Sequence, residues 1–265
     1  MMIKQHYHAL ILAFQFLTRL PVYRLFSIAN TTPSPQVSGK ALLYYPIVGG
    51  VIGGGLMVLP VMVSWCEVAV STQMQAGLIL VFWVWVTGGL HLDGLADSAD
   101  AWLGGFGDKQ RTLALMKDPT CGPSAVVALV LVLLLKWLAL SELLAQLQMA
   151  PSWCWLLLAL VPVLARFQVM LLVVHTPYVR AQGLGTELKN QAQAKWVWFS
   201  FSLLVVFMLY QHVGLSLALI LTLGIGYYLM RRLMMQRIDG WTGDTAGASI
   251  EVTELLALLV LSMAF

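Results

Sequence analysis

SAVVALVLVLLLKWLALSELL, residues 124–144, contains only four residues that are clearly polar: Ser124, Lys136, Ser141 and Glu142. A run of roughly 20 apolar residues is what an α-helix needs to cross a bilayer. In lipid every backbone N–H and C=O must be satisfied within its own segment, so such a run reads as a helix. Similar runs lie at about 41–63, 76–92, 153–174, 196–210, 215–230 and 254–265, the last three lean in length. Hydrophobic residues make up 60% of the 265-residue chain, charged residues 10%, and mean hydropathy is +0.83. A soluble domain carries about 25% charged residues, so a water-soluble fold is excluded. The expected fold is all-α: a polytopic transmembrane helical bundle of six to seven spans, residues 1–265 forming a single integral-membrane domain.

The N-terminal apolar stretch, 7–20, is bracketed by Lys4, Arg19 and Arg24. It is short for a span and lacks a small-residue cleavage site, so an interfacial or re-entrant helix is expected. A polar, proline-containing loop follows at 27–39, and the run GGVIGGG (49–55) offers a surface for close helix approach. Cys66, Cys121 and Cys154 match no zinc or redox spacing and are expected as free thiols. Cys66 and Cys154 fall on one side of the topology, which leaves a disulfide between them conceivable.

Loop charge orients the bundle. Segments 1–40, 93–123, 175–195 and 231–250 hold 13 of the 15 Lys and Arg residues, and the intervening loops hold none. Under the positive-inside rule the rich loops are cytoplasmic. The remaining two, Lys136 and Arg166, fall within spans, where a charge usually faces the bundle interior. A net charge of +3 is too small to indicate nucleic acid and is accounted for by topology.

One cytoplasmic stretch carries the chemistry: TGGLHLDGLADSADAWLGGFG, residues 87–107. Asp93, Asp97 and Asp100 are spaced i, i+4, i+7 and share one helical face, with Gly and Ala beside them. Solvated acids on a helix usually alternate with Lys or Arg, yet no basic residue lies between Val86 and Asp108. Three anions so placed repel one another unless a cation lies between them, and a hard ion with oxygen ligands, Mg²⁺, is expected. Its use would be to hold a phosphate or pyrophosphate. His91 either orients a ligand or sits at the interface.

A second acidic element, RIDGWTGDTAGASIEVTE (237–254), lies on the same side. Thr242 is a candidate N-cap, and Asp244 and Glu251 are seven apart on one face, expected to complete the metal site. A first-turn acid complementing the helix dipole would explain Asp244 alone. Lys109, Arg111 and Lys117 border the acids as expected for a polyphosphate site, although topology alone also accounts for them. Arg166 is expected to hold phosphate through its bidentate guanidinium, and Lys136 to contact substrate or pair with Glu142. No Walker loop, GxSxG elbow or HExxH is present. The residues alone thus describe a membrane enzyme with a cytoplasmic, Mg²⁺-dependent phosphate site. A cation-coupled transporter, with its acids at mid-membrane, is the reading from another class.

At these positions the chain resembles the cobalamin synthase family, also called adenosylcobinamide-GDP ribazoletransferases. The resemblance rests on FLTRLPV (16–22), YYPIVGGVIG (44–53), TGGLHLDGLADSADA (87–101), R-x-x-x-x-MKDPTCG (111–122) and TGDTAGA (242–248). The family pattern carries a glycine-rich element around GTFG where this chain reads CGPS. The resemblance implies a bacterial inner-membrane enzyme with its active site on the cytoplasmic side. Its substrates would be adenosylcobinamide-GDP and α-ribazole or its 5′-phosphate, with GMP released and Mg²⁺ required. On that basis Asp93, Asp97 and Asp244 are the expected chief metal ligands, and Asp100 a further ligand or the general base. Arg111, Lys117, Asp118, Arg166, Arg180, His91, Thr242 and Gly243 are the expected substrate contacts. The Asp-Gly-x-x-Asp-x-x-Asp pattern is also similar to CDP-alcohol phosphotransferases, the alternative within the enzyme class. The subunit number stays open, a homo-oligomer included.

Overall fold

The computed structural model describes residues 2–22, 34–66, 69–180 and 184–264. Most of the expected loop at 27–39, and Glu67, lie outside the described residues. The elements are α1 (Met2–Leu17), α2 (Pro35–Ala41), a 3-10 turn (Leu42–Tyr44), α3 (Tyr45–Trp65), α4 (Thr72–Thr87), α5 (Leu90–Gly104) and α6 (Lys109–Leu115). They continue with α7 (Pro123–Met149), a 3-10 turn (Ser152–Trp155), α8 (Leu156–His175), α9 (Leu184–Gln191), α10 (Ala194–Gln211), α11 (Val213–Ile238) and α12 (Gly243–Ser262). Among the described residues, six helical segments are long and apolar enough to cross a membrane: Pro35–Val63, α7, α8, α10, α11 and α12. The broken pair α4 and α5 makes a seventh if taken as one span. The 16-residue α1, about 24 Å long at 1.5 Å per residue, is not among them. It packs against α2 and α3, and its Ala9, Leu12, Ala13 and Leu17 join the buried core.

The second span ends earlier than its hydropathy indicates. Gly88 and Gly89 both adopt the left-handed region, at φ +63° and +68°. Glycine reaches that region without strain, so two in succession turn the chain sharply. The N–H groups of Gly88 and Gly89 satisfy the carbonyls of Trp85 and Val84, closing α4. The axis of α5 then leaves at 86° to α4. The aspartate helix therefore does not continue the span but runs across its end.

The last span begins at Gly243, eleven residues before the position expected from hydropathy. Glu251 and Glu254 interrupt the apolar pattern, but inside the bundle both are paired with cations. Helices α8 and α12 are the most buried of the spans, and α10 and α11 are peripheral. The glycine run lets α3 lie against α8: a Cβ on Gly49 would stand 2.7 Å from the Pro162 carbonyl oxygen, and one on Gly53 would strike Ala159. All three cysteines are free.

Candidate active site

The face opposite the acids on α5 is buried, with His91, Gly94, Leu95, Ser98 and Ala101 turned inward. Asp93 is exposed, and Asp97 and Asp100 are half-buried. All three line an open cleft of about 560 Å³, whose other wall is the 116–121 loop with Lys117, Asp118 and Thr120. The small residues of α5 and α12 form a close helix crossing. A Cβ on Gly94 would stand 2.5 Å from the Asp244 carbonyl oxygen, and one on Gly247 3.3 Å from His91 Cα. That crossing delivers Asp244 to the aspartate face. Asp97 feels Asp93, Asp244 and Asp100 as like charges and Arg180 as an opposing one. Gly94→Val is expected to separate α5 from α12 and reduce turnover by about 10²-fold, since displacements of about 1 Å have effects of that size. Cysteine crosslinking between α5 and α12 should weaken in parallel.

Thr242 caps α12 in a reciprocal box: its Oγ1 accepts from Thr245 N–H at 3.3 Å, and its own N–H donates to Thr245 Oγ1 at 2.9 Å. Its hydroxyl is thereby buried in the cap instead of presented to substrate, whereas Gly243 is exposed at the helix start. Asp244 Oδ2 accepts from Arg180 Nη2 at 2.6 Å. The 177–180 segment reaches this point because it pairs with the 240–242 turn. Trp241 N–H donates to Pro177 O at 2.9 Å and Val179 N–H to Trp241 O at 3.1 Å.

Asp100, expected as ligand or base, is engaged elsewhere. Its Oδ2 accepts from Gly122 N–H at 2.6 Å and its Oδ1 from Ala125 N–H at 2.9 Å. It therefore caps α7 from a neighbouring helix, meeting the first-turn N–H groups that lack intrahelical partners. The same bonds fix the 116–122 loop as the cleft wall. Within that loop, hydrogen bonds from the Thr120 hydroxyl and N–H hold the Asp118 carboxyl below the usual carboxylate range. Lys117 is exposed toward the cleft. Arg111 instead stacks over the Phe106 ring at 5.1 Å, and Lys109 pairs with Asp239 at 2.8 Å. Neither lines the cleft.

The structure takes Arg166 and His91 away from the cleft. Arg166 is fully buried and its Nη1 donates to Glu254. Lys136 bonds Glu251 at 2.6 Å and Glu254 at 2.7 Å, not Glu142, whose Oε1 accepts from Gln146. Glu251 thus lies about 10 Å along the helix axis from Asp244 and does not join the aspartate face. His91 abuts this interior cluster, and neither of its ring nitrogens finds a partner among the described residues. Sequence reasoning missed Glu254. Its signal was an acid within an apolar helix, in a bundle that also holds two span cations, Lys136 and Arg166.

Among the described residues no three His, Cys, Asp or Glu side chains are drawn together as a closed ligand set. Mg²⁺ does not require one, because it keeps several waters and binds one or two carboxylates plus substrate phosphates. The cleft-lining Asp93 and Asp97, with Asp244 beside them, form an all-oxygen donor set of that kind.

The family model for cobalamin-5-phosphate synthase matches residues 9–262. An adenosylcobinamide-GDP ribazoletransferase of Pseudomonas syringae pv. syringae is 45% identical over 252 residues, covering 95% of this chain and 98% of the relative. One from Ectopseudomonas mendocina is 46% identical, covering 95% and 97%. One from Acinetobacter baumannii is 40% identical over 254 residues, covering 96% of each. No solved structure matches. With a match running from α1 to the end of α12, and through both acidic elements, this chain belongs to the cobalamin-5-phosphate synthase family.

Proposed function

We propose that this protein is a Mg²⁺-dependent transferase that moves the adenosylcobinamide phosphate moiety from adenosylcobinamide-GDP to α-ribazole or its 5′-phosphate. The observation that carries this reading is the 45–46% identity to ribazoletransferases over 95% of the chain, in residues that line up along nearly its whole length. In the reaction a ribazole hydroxyl attacks the cobinamide-side phosphorus. A new P–O bond forms, the P–O bond to GMP breaks, and the hydroxyl proton passes to a carboxylate of the aspartate face. Asp93, Asp97 and Asp244 would hold Mg²⁺. When bound, that ion neutralises charge on the pyrophosphate and makes GMP a better leaving group. Lys117, on the opposite cleft wall, would meet the phosphates as a mobile point charge. The exposed N–H of Gly243, at the positive end of α12, would add a backbone donor. Asp100 supports the site by holding the loop that carries Lys117.

The excess of Lys and Arg in the loops on the cleft's side supports a cytoplasmic-facing site in the bacterial inner membrane. Vesicle-reconstituted protein offered adenosylcobinamide-GDP with α-ribazole should release GMP, and offered CDP-diacylglycerol with an alcohol acceptor should release no CMP. The reverse preference would assign it to the CDP-alcohol phosphotransferases.

A further inference from the structure

We infer that Arg180 is an exchangeable partner of Asp244 that couples metal binding to binding of the substrate diphosphate. This rests on the reading that Asp244 ligates the metal.

The placement of Arg180 is built, not incidental. The main-chain pairing of 177–180 with 240–242 brings its backbone alongside the start of α12. Gly240 permits the approach, since a Cβ there would strike the Pro177 carbonyl. The Tyr178 and Trp241 rings pack with centroids 4.6 Å apart and brace the pairing. The guanidinium uses Nη2 on Asp244, while its Nε is buried without a hydrogen-bond partner among the described residues. Nε and Nη2 are the two donors that form the planar fork guanidinium presents to carboxylate or phosphate. One prong is thus engaged and the other waits.

Without a metal, Arg180 offsets the charge of an acid face that otherwise holds Asp93, Asp97, Asp100 and Asp244. A divalent cation at Asp244 would stand next to that guanidinium, and the two repel. Metal alone therefore binds weakly. A diphosphate changes this, because Arg180 can leave Asp244 and engage a phosphate with both prongs. Asp244 is then free for the cation. Each ligand favours the other by the same factor, as linkage requires.

The test measures Mn²⁺ binding by electron paramagnetic resonance on the full-length protein, alongside KM for adenosylcobinamide-GDP. Arg180→Gln should bind Mn²⁺ alone about three- to tenfold more tightly, because it removes a partly exposed ion pair and a repelling cation. Its KM should rise by about tenfold or more, the opposite direction. Arg180→Lys keeps the charge without the fork, so Mn²⁺ affinity should stay near wild type while KM rises. If Arg180→Gln weakens Mn²⁺ binding and raises KM together, Arg180 is only a structural brace and the inference fails. If Arg180→Gln leaves Mn²⁺ affinity unchanged while Asp244→Asn weakens it, the coupling is refuted and the metal assignment stands. If Asp244→Asn binds Mn²⁺ as wild type does, the assignment of Asp244 as a ligand fails, and the coupling with it.

Discussion

Asparagine at position 97 should leave the protein folded in the membrane and reduce GMP release by about 10²–10³-fold, the range seen when one charge-stabilising group is removed from an active site. Asp97 lines the cleft between Asp93 and Asp100 and lies close to Asp244. The substitution keeps shape and volume but removes the charge a cation requires. Mn²⁺ binding should fall with activity. Asp100→Asn provides the contrast. Its amide retains one acceptor oxygen but turns an N–H₂ group toward one of the two α7 donors. Loss of a cap of this kind is worth about 0.5–2 kcal/mol of stability. Asp100→Asn should therefore lower the melting temperature and affect Mn²⁺ binding less than Asp97→Asn does. Equal loss of metal from both variants would return Asp100 to the ligand set.

Lys136→Met should be the most destabilising single change in the bundle. The ammonium sits between Glu251 and Glu254 and over the Trp83 ring at 4.8 Å, and it is almost fully buried. Its removal leaves two carboxylates facing a single guanidinium. Breaking a buried pair from one side destabilises by about 3–5 kcal/mol, because a charge is left uncompensated. Denaturation of the protein in detergent micelles measures this. Lys136→Met combined with Glu251→Gln restores charge balance and should recover a substantial part of the loss, a coupling that a double-mutant cycle reads directly. Additive losses would show that the three side chains do not act as one unit. The cluster ties α7, α8 and α12 together beneath the site, so the double variant should also keep Asp244 in place and retain activity.

The spans and the aspartate face were legible because both are local. Apolar runs report bilayer length, and the i, i+4, i+7 acids report one helical face. The Thr242 cap was legible for the same reason, since its hydrogen-bond partner lies three residues away. What the sequence did not disclose was pairing through space. Gly88 and Gly89 announce a turn, but not that the two left-handed residues swing α5 86° off its span. Asp100 looked like one more member of an acid row, yet its partners lie 22 and 25 residues downstream, at the start of α7. Arg166 looked like a phosphate ligand because a charge in a span invites a function. Its partner, Glu254, is 88 residues away on α12, and hydropathy had already placed that residue at the edge of a shortened span. Gly94 on α5 and Gly247 on α12 are plain in the sequence, but only the structure shows what they admit, namely each other's backbone.

The most direct test of the account is GMP release by the purified, reconstituted protein supplied with adenosylcobinamide-GDP and α-ribazole, with and without Mg²⁺. The account predicts one GMP per corrinoid joined to ribazole, only when both substrates and Mg²⁺ are present. GMP release that persists after complete metal chelation would contradict it.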